Sequence, residues 1–147
     1  MNSDLALRQF VSLWTKIRLD RIITRGGQAD PICSLCRTRQ EKTLHMVAKC
    51  SYATTVWTMI ASNGNFQLPP LQDVHRLYPW WELMLGAGNA QADHVQLLVY
   101  TAWNLWKERC RRVFDNKGMS PANLVAIIQQ DIALYKQAHT QENIDRL

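Results

Sequence analysis

The feature that most constrains this chain is a spacing of four residues, Cys33-x2-Cys36-x8-His45-x4-Cys50. Two cysteines separated by two residues sit on one tight turn, which carries both sulfurs to one side. A histidine and a third cysteine from the next segment complete a tetrahedral donor set, the number and kind of ligands that Zn²⁺ takes. All four positions are then filled by protein, so the expected ion is structural and holds no catalytic water. Three other chemistries are open to the same residues. Cys33-Ser34-Leu35-Cys36 has the spacing of a thioredoxin-like redox pair, but no βαβ pattern surrounds it. Two disulfides would need an oxidising compartment, and the start of the chain lacks the charge and apolar pattern of a secretory signal. Unrelated buried thiols are the third. Zinc is the expectation. The surrounding segment, residues 26–50, has few apolar side chains with which to order itself, and structural zinc supplies roughly 10–16 kcal/mol of apparent binding free energy. Cys110 lies far from the set, on a helix face beside Arg109 and Arg111, and is expected to be a core thiol.

The remaining sequence reads as helices around that loop. Leu7, Phe10, Val11, Trp14, Ile17 and Ile22 recur at nearly helical spacing, so a first helix is expected from about Asp4 to Arg25, closed by Gly26-Gly27. Residues 51–62 read as a helix with Val56, Trp57 and Ile60 inward and Asn63-Gly64 as its stop. Residues 63–79, with Gly64, Pro69-Pro70 and Pro79, form an irregular connector leading to Tyr78–Leu85, a short helix or an anchoring loop. The strongest pattern runs from Asp93 to Phe114, with Val95, Leu98, Val99, Ala102, Trp106, Cys110 and Val113 on one face. Ser120-Pro121 opens a last helix with its inward face at Leu124, Ile127, Ile128, Ile132 and Tyr135, and the tail after Ala138 is expected to fray. No period-2 alternation, hairpin dipeptide or repeat is present. The expected fold is a small all-α domain of about five helices with one irregular zinc-binding loop. It divides into residues 1–62 (basic helix, zinc loop and following helix), a Pro/Gly/Trp connector at 63–92, and a helical pair at 93–147 that packs on the same core.

Charge is unevenly spread along the 147 residues. The first fifty carry nine basic and four acidic residues, residues 51–106 one basic and three acidic, and residues 107–117 five basic and two acidic. Two basic zones thus flank a nearly neutral, Trp-rich middle. That pattern permits nucleic-acid contact. It equally suits a solvated helix face and cations at a helix C-terminus, and no run of five like charges favours the first reading over the second. No stretch approaches the eighteen apolar residues of a membrane span. An intracellular site in nucleus or cytoplasm is expected. The basic amphipathic start resembles a mitochondrial presequence, against which Asp4 and Asp20 count.

Residues 19–57, LDRIITRGGQADPICSLCRTRQEKTLHMVAKCSYATTVW, carry a family resemblance. Thr24-Arg25, Cys33, Cys36, Glu41, Thr43, His45, Cys50 and Val56-Trp57 follow one another as in the zinc-binding domain found after reverse transcriptase in plant non-LTR (LINE-type) retrotransposons. The resemblance continues through Trp80-Trp81 and Trp103-Asn-Leu-Trp-Lys-Glu-Arg-Cys-Arg-Arg-Val-Phe114, and spans roughly residues 10–138. Cys110 departs from the family's usual Asn, and Tyr135 stands where a Trp is common. The resemblance implies the zinc ligands and a position near template RNA. It does not imply the polymerase activity, because the catalytic carboxylates, the endonuclease and the RNase H domain have no counterpart here.

An enzyme is not expected. There is no HExxH, G-x-S-x-G or phosphate-cradling Gly-rich loop. His75, His94 and His139 are isolated, and Glu82 and Glu108 lack an evident carboxylate partner. The leading expectation is a zinc-stabilised, retroelement-derived module that binds another protein or itself as a homo-oligomer, as an adaptor, an inhibitor or a toxin–antidote member of a selfish locus. Trp14, Trp57, Trp103 and Trp106 fall at helical spacing and are expected in the core. Trp80-Trp81 is expected to supply the protein-binding anchor, since two adjacent indoles should not both enter one core. The alternative is a module for RNA or single-stranded DNA, with Lys16, Arg18, Arg21, Arg25, Arg37, Arg39 and Lys42 tracking phosphates.

Overall fold

A computed structural model describes residues 32–39, 42–89 and 91–146. The helix expected over residues 4–25, with Trp14, Lys16, Arg18, Arg21 and Arg25, lies outside the described residues. The described chain is all-α around one irregular loop. The Cys/His loop leads into a π-helical turn, His45–Lys49, followed by α1 (Ser51–Gly64), α2 (Leu77–Gly86), α3 (Ala92–Phe114) and α4 (Pro121–Asp145).

α1 starts where Cys50 turns extended (φ −58°, ψ 144°). Its buried residues, Tyr52, Ala53, Val56, Trp57, Ile60 and Ala61, advance by one and three to four positions, the stripe a helix needs to bury one face. It stops at Asn65, whose φ of 55° lies in the left-handed region that asparagine tolerates. The Ser120 hydroxyl caps α4 by accepting from the Asn123 N–H at 3.2 Å, with Pro121 preset at the first helical position. α4 runs on to Asp145, well past Ala138 where fraying was expected.

α3 and α4 pack on each other, α1 lies across both, and α2 packs on α3. One hydrophobic cluster joins the metal loop (Cys33, Leu35, Met46, Val47), α1, α2 and the helical pair. One buried polar side chain ties two helices together: Asn104 Nδ2 donates to Tyr100 O at 2.8 Å and to Asp131 Oδ2 at 3.0 Å, pinning α3 to α4.

Two expectations about tryptophan are corrected. Trp80 and Trp81 are both completely buried, so the pair is not an exposed anchor. Residues 80 and 81 lie on α2, where neighbours point about 100° apart, and a helix packed between two others buries both directions. Trp80 meets Trp57 of α1 edge to face at 5.7 Å between centroids, and the two neighbouring indoles lie 5.8 Å apart. Trp103, expected in the core, is instead 36% exposed, because the buried arc of α3 runs through Ala102, Leu105 and Trp106. Val113 likewise faces outward.

Candidate metal centre

The loop is held before any ligand is considered. Cys33 N donates to Arg39 O at 2.7 Å and Arg37 N to Cys33 O at 2.9 Å, closing the turn that carries Cys33 and Cys36. Arg37 takes φ 61° to complete it. His45 and Cys50 are five residues apart, and on an α-helix such positions diverge by about 140°. The chain winds here as a π-turn instead, with Cys50 N donating to His45 O at 2.6 Å, which returns residue 50 to the side of residue 45. The turn is anchored by its own buried Met46, Val47 and Ala48 and by Trp57 Nε1, which donates to Val47 O at 2.7 Å.

The result is one cluster. Cys33 Sγ and Cys50 Sγ are 3.9 Å apart, Cys36 Sγ and His45 Nε2 are 3.3 Å apart, and all four ligand atoms lie within 4.8 Å of one another. Thiolates on a tetrahedral ion at about 2.3 Å are separated by about 3.8 Å, and a thiolate and an imidazole nitrogen by about 3.5 Å. The donor set therefore fits a four-coordinate metal ion. All four cysteines are free thiols, so the disulfide reading is not the one realised.

Two of the three ligand thiols are prepared for ionisation. Cys33 is drawn down to about 6, chiefly by its hydrogen bond with Cys50 Sγ and against the effect of burial, with help from the Cys36 and Leu35 backbone N–H groups. Cys50 is pushed up by that same bond and by burial, so the pair gives up its first proton easily and its second reluctantly. Burial raises Cys36, but the Thr38 hydroxyl at 3.3 Å and the Thr38 backbone N–H, joined by His45, outweigh it and bring the thiol to about 7. A divalent cation bound there would supply the charge that lets the set ionise together.

Other expected site residues are distributed as follows. Arg37, Arg39 and Lys42 are exposed on or beside the loop. Trp80 and Trp81 belong to the core. Cys110 is half-buried on α3 against the core and stands apart from the metal group. His75 and His139 are exposed, and His94 Nε2 lies 2.8 Å from Met84 O. Much of the second basic zone is internal wiring: Arg109 is buried over the Trp106 ring at 5.0 Å, and Arg111 and Arg112 pair with Glu108.

Glu108 is the residue that sequence reasoning passed over. Its side chain is fully buried and accepts from Arg111 Nε (2.9 Å), Arg112 Nε (3.1 Å) and Met119 N (2.8 Å), with Tyr52 Oη at 3.5 Å. Arg112 then reaches the metal loop, donating through Nη1 to Ser34 O (3.2 Å) and Leu35 O (3.1 Å). The available signal was the charge order of Glu108, Arg111 and Arg112, whose i+3 and i+4 spacings put all three on one helix face. No described helix is long and apolar enough to cross a membrane. No protein-family model, no curated protein and no solved structure matches the chain.

Proposed function

We propose that this chain is a non-catalytic binding module built on a structural zinc ion, derived from the zinc-binding region of a plant-type retroelement polymerase, and that it binds single-stranded nucleic acid through its metal-ordered loop. The observation that carries the first part is the closed Cys33/Cys36/His45/Cys50 set: its three sulfurs and one nitrogen match zinc's preferences and leave no protein-free position for a reacting water. The nucleic-acid reading is supported by Arg37, Arg39 and Lys42, all exposed on or beside the segment that the ion would order. The protein-binding reading has lost its Trp80-Trp81 anchor. It keeps one specific observation in its favour, the outward-facing apolar group at the end of α3, where Val113 and Phe114 (65% exposed) face solvent.

Titration of the zinc-loaded protein with fluorescent single-stranded RNA and DNA across salt tests the reading. Affinity should fall steeply with salt. Replacing Arg37, Arg39 and Lys42 together by Gln should flatten the slope by about 2 in log–log units, at roughly 0.7 per phosphate contact. A salt-independent or absent response, together with dimers in light scattering that dissociate on Phe114→Ser, would move the assignment to protein binding.

A further inference from the structure

Arg112 and the metal loop meet at an informative place. Two of the carbonyls that accept from its guanidinium belong to Ser34 and Leu35, the two residues between Cys33 and Cys36. Each carbonyl shares a peptide plane with the N–H that follows it, on Leu35 and on Cys36, and in a trans peptide the two groups point opposite ways. Those same two N–H groups face the Cys33 thiol closely enough to help draw it down. The guanidinium therefore stands on one side of two consecutive peptide groups, and a metal-ligating sulfur stands on the other.

We infer that Arg112 is a positioning residue for the metal centre: it aligns and polarises the Ser34–Leu35 and Leu35–Cys36 peptides so that their N–H groups are held on Cys33 Sγ, and it sets a positive charge against an anionic centre. The inference rests on the zinc reading above and deepens it. Three thiolates around a divalent cation leave one net negative charge, which a nearby cation offsets. The fork geometry is required. Nε binds Glu108, Nη1 spans the two loop carbonyls, Nη2 donates to Met119 O at 3.1 Å, and the group lies over the Tyr52 ring at 4.7 Å. A lysine ammonium is a single point on a flexible stem and does not bridge these acceptors. Glu108 fixes the guanidinium from behind, and Tyr52 is two residues from the ligand Cys50, so the clamp touches the centre from both ends of the loop.

The test is metal affinity and cobalt spectroscopy on the full chain, comparing wild type, Arg112→Met, Arg112→Lys and a remote control, Arg146→Met. Zinc affinity is read by competition with a chromophoric chelator, and the thiolate-to-cobalt charge-transfer band reports the sulfurs directly. Arg112→Met should weaken zinc about 10- to 100-fold. Its cobalt band should move to longer wavelength, because a thiolate relieved of N–H bonds gives up charge more easily. A role limited to helix packing would lower thermal stability without moving that band. Should Arg112→Met not fold, Arg112→Lys decides, with at least a several-fold loss and the same direction of band shift expected. Wild-type affinity and an unshifted band in a folded Arg112 variant overturn the inference alone. A wild-type chain that takes up neither zinc nor cobalt overturns the zinc reading and this inference with it.

Discussion

A buried carboxylate is tolerated only when its charge is answered, and Glu108 shows how. Burial raises its pKa, but the Met119 N–H and the Arg111 and Arg112 guanidinium groups outweigh that and hold it below its ordinary 4.5. A carboxyl depressed on folding stabilises the protein above its unfolded pKa, and the contribution disappears as pH falls through the lower folded value. The stability gap between wild type and Glu108→Gln should therefore be full at neutral pH and shrink progressively below about pH 4.5. Urea unfolding at a series of pH values measures it. Glu108→Ala strands two half-exposed arginines and a backbone N–H, and should cost about 3 kcal/mol at neutral pH. Trp80 makes the opposite kind of contribution. Trp80→Ala should lower unfolding free energy by about 3–5 kcal/mol. An exposed anchor in its place would instead change binding while leaving the urea midpoint alone.

Elements were legible where a helix carries its own punctuation. Ser120-Pro121 announced α4 and Asp93–Phe114 announced α3 to within a residue, because caps and a 3.6-residue stripe are local. What could not be read locally was orientation around an axis. Trp80 and Trp81 look like surface anchors until α2 is set between neighbours, and Trp103 looks buried until α3 is rotated by its other contacts. The metal quartet was legible from spacing alone, whereas the π-turn that makes an x4 spacing work, and the Glu108–Arg112 bracket behind it, exist only once the chain has packed. The turn between α2 and α3 gives a sharp test of packing at this scale. A Cβ on Gly88 would collide with the His94 ring, which also meets Phe66 edge to face at 4.7 Å. Gly88→Ala should cost about 1–3 kcal/mol through this overpacking, seen as a lower denaturant midpoint at unchanged slope.

For the molecule as a whole, the loop and the helices share one hydrophobic cluster, so losing the ion should be felt far from the ligands. Chelation, or Cys33→Ser, should lower the melting temperature and release the loop. Proteolysis between residues 32 and 49 should rise before α3 and α4 lose their helical signal. An unchanged melting curve after complete metal removal would contradict a structural ion. The bracket itself also dictates an order of events. The ligand sulfurs are at most 17 residues apart in sequence, but Arg112 must find Ser34 and Leu35 across 78 and 77 residues. Closing the longer loop costs about 1.3 kcal/mol more in chain entropy. Capture of a metal by the four ligands would thus be a short-range event, expected to precede the docking of α3. If the ion is zinc, its presence at the start of refolding should speed the return of native structure, while zinc added after α3 has docked should not.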